Sequence, residues 1–187
     1  MTIVLRTLDA ADALACSAQL ARVLVDCVEG GASVSFMLPL SHDKALQFWH
    51  KVAASIGRGE RTLIVAEDGD GILGTVQLIT DMPENQPHRA DVAKLLVSQR
   101  ARGVGIGGRL MAAVEAAARS QGRTLLVLDT ANATAERLYA RLGWQRVGVV
   151  PDYAQLPAGG LCATTLYYKR LDVNAQSQDK DYHTIAE

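Results

Sequence analysis

The residues whose types and spacing hold the most chemistry run LLVSQRARGVGIGG from Leu95 to Gly108, where an apolar strand gives way to a basic, glycine-rich turn that opens a helix. Gly103, Gly105, Gly107 and Gly108 carry no Cβ to hold a ligand off the main chain, so successive N–H groups can turn toward one anion. The helix that follows, GGRLMAAVEAAARSQ, presents its unpaired first-turn N–H groups and the positive end of its dipole to the same place. Arg100 and Arg102 add fixed positive charge, with forked donors that suit phosphate oxygens. The pattern points to a diphosphate cradle. The plainer alternative, a turn with two solvated arginines, does not require four glycines at a helix start.

A second reading fits the same glycines. Gly103-x-Gly105-x-x-Gly108, with Asp129 twenty-one residues further on, satisfies the dinucleotide fingerprint and would suggest an NAD-dependent oxidoreductase. Against it, the five residues from Ser98 to Arg102 separate the strand from the first glycine, and only 58 residues follow Asp129. That is too little chain for the rest of a doubly wound sheet and a catalytic domain. A phosphate loop of the G-K-[ST] type is excluded because Arg109 follows Gly108.

The elements that must position these residues belong to one globular unit. The chain has 187 residues, is 49% hydrophobic and has a net charge of −1, so it can bury a substantial core and has no bias toward nucleic acid. No apolar run is long enough to span a membrane, and MTIVLRTLDA lacks the pattern of an export signal, so a cytoplasmic location is expected. Cys16, Cys27 and Cys162 make no C-x-x-C pair, and His42, His50, His88 and His183 are scattered, so neither disulfides nor a metal site is expected. Cys16 and Cys27, eleven residues apart, are expected to face the core of one helix.

Along the chain, TIVLR reads as a strand, and Asp9 caps a long helix to about Val28 that Gly30 and Gly31 end. A second helix runs from about Ser41 to Ile56. Two β-rich runs flank Asp68-Gly69-Asp70-Gly71, a strong hairpin signal, and HRADVAKLLVS supplies their partner. The glycine turn and its helix follow, then the buried strand TLLVLDT, the helix NATAERLYARL closed by Gly143, and strands WQRVGVV and ATTLYYKRL about a loop holding Pro151, Pro157, Gly159 and Gly160. The order is β-α-α-β-β-β-α-β-α-β-β. Residues 1–171 form the domain, and residues 172–187, without periodicity, are expected to be a mobile tail.

Over about residues 3 to 170 the chain resembles the GNAT superfamily of acyl-CoA N-acyltransferases. Arg100-Ala101-Arg102-Gly103-Val104-Gly105 looks like its pyrophosphate motif, Q/R-x-x-G-x-G/A, and the stretch from Asn132 through Leu138, Tyr139 and Gly143-Trp144 looks like its second cofactor-side motif. Within the superfamily, GGASVSFM, HRADVAKLLV and LLVLDT are similar to the tabtoxin-resistance acetyltransferases, which acetylate a β-lactam amino acid. The resemblance implies an α/β (α+β) fold: a mixed, largely antiparallel sheet of about seven strands flanked by about four helices. It also implies acetyl-CoA as cofactor and the primary amine of an amino-acid-like or antibiotic-like small molecule as acceptor, attacked directly.

The same resemblance distributes the roles. The turn residues Arg100, Arg102, Gly103, Val104, Gly105, Ile106, Gly107 and Gly108 hold the diphosphate, and Leu95, Leu96 and Val97 lie along the pantetheine arm. A β-bulge in that strand would free a backbone N–H for the thioester oxygen. Tyr139 matches the family's proton donor to the coenzyme A sulfur; as a plain alternative it packs against the sheet. Asn132, seven residues earlier on nearly the same helical face, can bond the pantetheine arm, a role that capping the helix does not exclude. Asp91, on the strand entering the glycine turn, and Asp129, which ends the strand before Asn132, can converge at the acyl end to orient the ammonium or accept its proton, with Glu67 and His88 as competitors. The acceptor site is expected from residues 30–38 and the second helix, with Ser33, Phe36 and Trp49 as its walls, although Trp49 equally suits the core. A coenzyme A sensor without turnover remains the alternative from another class, and a homodimer through the last strands is compatible with the sequence.

Overall fold

The computed structural model describes residues 2–172; the expected mobile tail lies outside them, save Asp172. Asp9 accepts the Asp12 N–H at 2.8 Å and starts helix α1 (Ala10–Ala15) directly after strand β1 (Val4–Leu8). Helix α2 (Ser17–Glu29) follows, so the single long helix expected from the periodicity is two. The break falls at Cys16, where ψ is 0° and the sulfur accepts from the Arg6 guanidinium at 3.7 Å. Cys27 is buried in the core and Cys16, partly buried, packs against the same core, as expected. Ser41 caps helix α3 (His42–Gly57) through the Lys44 N–H.

The hairpin forms as the sequence indicates. Strand β2 (Arg61–Asp68) and strand β3 (Gly71–Ile79) turn through Gly69 and Asp70, with the Asp68 carboxylate accepting the Asp70 N–H. Strand β4 (Arg89–Val97) completes this antiparallel group, and a short 3₁₀ turn (Gln99–Ala101) leads to helix α4 (Ile106–Ser120). Then come strand β5 (Leu125–Thr130), helix α5 (Ala133–Arg141), strand β6 (Gln145–Gln155) and strand β7 (Leu161–Arg170). Pro151, expected in a loop, lies inside β6, on the edge of the sheet where its missing N–H is tolerated.

The seven strands form one sheet in the order β1-β2-β3-β4-β5-β7-β6, antiparallel at every neighbour except β4 and β5. A doubly wound parallel sheet is therefore absent from the described residues, and with it the scaffold that the dinucleotide reading needs. Each face has its own core. On one, Ile106, Leu110, Met111, Val114 and Ala118 of α4 recur at helical spacing and, with Tyr139 and Trp144, cover Leu78, Val92, Leu126 and Leu128. On the other, α2 and α3 cover Leu63, Val65, Ile72 and Leu96.

Candidate active site

The parallel pair between the two cores is short. β4 meets β5 only at Arg89, Ala90 and Asp91, opposite Leu125, Leu126 and Val127; from Val92 onward the edge of β4 that faces β5 has no strand partner. On its other edge, Lys94 and Leu95 together stand against Val76 of β3, which is a β-bulge, and Lys94 takes the left-handed backbone with φ 52°. The strand thus carries the kind of bulge that the resemblance implies. Leu95 and Val97 point to the α4 side, and Leu96 to the α2–α3 side.

Beyond β4, the glycine turn divides into two functions. Gly103 and Gly105 have φ near 84° and 82°, and a Cβ built on either meets nothing within 4 Å, so their backbone is open to a bound group and its conformation suits glycine alone. Gly105 is the residue that begins α4, whose first N–H groups face this open space. Gly107 and Gly108 serve packing as well: a Cβ on Gly107 would lie 3.2 Å from Leu138 of α5. This packing role stands beside the expected one of admitting a ligand. Ile106 is buried, so only its backbone is available, whereas Val104 is exposed. Arg102 is exposed, its Nε donating to the Val97 carbonyl at 3.3 Å, and Arg100 is exposed beside it.

Across the gap, after β5, α5 is fixed by Asn132, whose Oδ1 accepts from the N–H groups of Thr134 and Ala135 at 2.8 and 3.1 Å. The cap engages the carbonyl oxygen and leaves the amide NH₂ as a free donor. Seven residues on, Tyr139 is 5% exposed with its ring against Trp144 and Tyr167, centroids 6.0 and 5.7 Å away. Burial, and after it the charge of Asp129, pushes the phenol well above its ordinary pKa, so it keeps its proton at any working pH. Packed aromatic and proton carrier are compatible descriptions of the same side chain.

The two carboxylates occupy the α2–α3 face of the gap. Asp91 is partly buried; burial first, and then the Asp129 charge, raise its pKa against the opposing pull of Arg89, which donates to Oδ2 at 3.4 Å. Asp129 is exposed and lines a cleft of about 400 Å³ together with Ser33, Phe36, Tyr153, Cys162 and Thr164. Its Oδ2 accepts the Thr164 hydroxyl at 2.7 Å. The loop over this cleft is tied to the β6–β7 hairpin by the Leu38 N–H, which donates to the Pro157 carbonyl at 2.9 Å, and by the Ser33 hydroxyl, which donates to the Gln155 carbonyl at 3.5 Å.

Three of the expected walls thus part company. Ser33 and Phe36 line the cleft, but Trp49 is fully buried in the core beneath it, with Phe48 between its ring and that of Phe36. Glu67 is turned to Arg6 at 3.0 Å near β1, away from the gap. Lys94, Tyr153, Cys162 and Thr164 were not foreseen. Lys94 and Thr164 lie in segments read as strands, HRADVAKLLVS and ATTLYYKRL, which gave no sign of where either side chain turns, and Tyr153 and Cys162 lie in or beside the expected loop.

Residues 59–146, just under half of the chain, match the acetyltransferase (GNAT) domain family. Solved structures share the whole architecture. The yncA protein of Salmonella typhimurium, solved with its cofactor acetyl-CoA, superposes with a TM-score of 0.75 at 19% identity, over 98% of this chain and 100% of that one. A phosphinothricin acetyltransferase of Sinorhizobium meliloti in complex with acetyl-CoA gives 0.75 at 19% identity, covering 97% and 95%. A ribosomal-protein-alanine N-acetyltransferase of Brucella melitensis gives 0.72 at 23% identity, covering 90% and 99%.

Proposed function

We infer that this chain, which carries a GNAT acetyltransferase domain, is an acetyl-CoA-dependent N-acetyltransferase whose acceptor is the primary amine of a small molecule. The observation that carries the reading is the separation of β4 from β5 beyond Asp91, flanked by a left-handed glycine turn on one side and a carboxylate-lined cleft on the other. The open backbone at Gly103 and Gly105 fits a diphosphate, and the unpaired edge of β4 offers amide groups to a pantetheine arm. Bound there, acetyl-CoA supplies a thioester carbon open to attack by an amine.

The chain's own groups then divide the work. Arg100, Arg102 and the N–H groups of residues 103–108 hold the anionic end, while Asn132 Nδ2 and backbone groups of residues 95–97 fix the arm. A backbone N–H at the bulge stands where negative charge gathers on the thioester oxygen. Asp129 Oδ1 binds the acceptor ammonium and accepts a proton from it, and Asp91, whose pKa burial raises, stands beside that carboxylate. Tyr139 Oη, kept protonated by burial, holds a proton for the departing sulfur. The ammonium gives up two protons, one to Asp129 and one that replaces the proton Tyr139 passes to sulfur, as nitrogen takes the acetyl group; no oxidant is needed for the balance.

The test is release of free thiol from acetyl-CoA with a panel of amino acids, polyamines and aminoglycosides. Turnover with at least one amine is expected, lowered roughly 10²-fold or more in Asp129→Asn as a general base is lost. Acetyl-CoA binding without turnover of any amine would favour the sensor reading instead.

A further inference from the structure

Three residues other than glycine take a left-handed backbone among the described residues, and each either lines the cleft beside Asp129 or touches a residue that does. They are Ser35 on its rim, Lys94 at the β4 bulge, and Asp152, which precedes the wall residue Tyr153. Left-handed residues with a Cβ are costly and cluster where function over-determines the backbone. Here two of them hold each other: Lys94 Nζ donates to Ser35 Oγ at 3.2 Å.

That hydroxyl is a weak partner for an ammonium that burial has pushed below its ordinary pKa. Asp129 lies near enough to oppose that shift through its charge, yet no carboxylate among the described residues comes within ion-pair distance of Nζ. Arg61, the other cation that Lys94 feels, donates to Ser55 and Gln77, both neutral. Lys94 Nζ thus reaches the rim residue Ser35 without an ion pair, while the Asp129 carboxylate lines the cleft itself. Phe36, Met37 and Tyr153 give it apolar walls.

Resting on the acetyltransferase reading above, we propose that the acceptor is a small zwitterion whose ammonium pairs with Asp129 and whose oxyanion, a carboxylate or its phosphorus analogue, pairs with Lys94. An amine without an anionic group leaves Lys94 desolvated beside Ser35 alone, and an acceptor lacking the amine leaves Asp129 unmatched. Lys94 is in this account a specificity residue; it takes no proton in the reaction.

The experiment compares kcat/KM for matched pairs, each of several apolar and polar L-amino acids against its own carboxamide, in the wild-type chain, Lys94→Met and Lys94→Arg. Each pair differs in one charge and keeps the amine. The acids are expected to be preferred by about tenfold or more in the wild type, the size of one charge-assisted contact. Lys94→Met should erase that preference through KM, and Lys94→Arg should retain most of it. Equal use of acids and amides, turnover of amides or polyamines only, or an unchanged ratio in Lys94→Met overturns the proposal. Acetyl-CoA affinity, measured by calorimetry on the same samples, separates the two failures: normal affinity leaves the acetyltransferase reading in place, and absent affinity removes both.

Discussion

The turn at residues 102–108 is made by seven consecutive residues, whereas the cleft beside Asp129 draws its walls from four stretches: residues 33–37, 129–131, 153–155 and 162–164. In the function proposed above, the first acts through the main chain. It needs only glycine where φ must be positive and a helix to begin at the right residue, and both conditions are local. The second works through side chains, and it exists only after β5, β6, β7 and the loop after α2 have been brought together. A local device can be shared among proteins that differ in their acceptors, while an assembled one can be rebuilt loop by loop.

If that division is right, damage on one side leaves the other intact. The largest expected effect is on the turn: Arg102→Glu combined with Gly103→Val reverses a charge and places a branched Cβ at φ 84°. Acetyl-CoA affinity measured by calorimetry should fall by roughly 100-fold or more, the sum of a lost charge-assisted contact and left-handed strain. Unchanged affinity would show that the two regions are not divided as described.

A smaller effect is expected where the two sides meet. Tyr139→Phe keeps the ring against Trp144 and Tyr167, so melting temperature and acetyl-CoA affinity should stay close to wild type. The turnover number should fall by about 10²-fold, as for loss of a positioned proton donor. A drop in affinity instead of turnover would make Tyr139 a packing residue of the cofactor side.

The smallest effect sharpens the acceptor side. Burial raises the Asp91 carboxyl above its ordinary pKa, so the folded chain binds that proton more tightly than the unfolded chain does. Its contribution to stability is therefore lost as pH rises from the unfolded carboxyl pKa through the folded one, and at neutral pH the charge is a net cost. Asp91→Asn should raise the melting temperature slightly at pH 7, with the difference closing at acid pH, while acceptor turnover falls. A lower melting temperature at pH 7 would mean that the Arg89 contact, at 3.4 Å, outweighs desolvation.

The same contrast explains what the sequence could tell. The strand order of types, the hairpin at Asp68 to Gly71, the caps at Asp9 and Ser41, and the turn at Gly103 and Gly105 were legible because each is fixed within a few residues. The break at Cys16 was not: apolar spacing continues smoothly from α1 to α2, and only the tertiary demands of the packed pair end the first helix. Trp49 illustrates the opposite limit. An aromatic near a presumed cleft suits a wall and a core equally in sequence, and its complete burial among α2 and α3 decides for the core. Lys94 gave no signal, because a lysine in a strand reads as a solvated edge until the bulge turns it inward toward Ser35.

Crystals of the chain grown with acetyl-CoA test the central claim most directly. The diphosphate should contact backbone N–H groups between Gly103 and Gly108, and the arm should run along β4 beyond Asp91 to end near Tyr139. Density for the diphosphate anywhere else on the molecule, or an arm that leaves the β4–β5 gap empty, would contradict it.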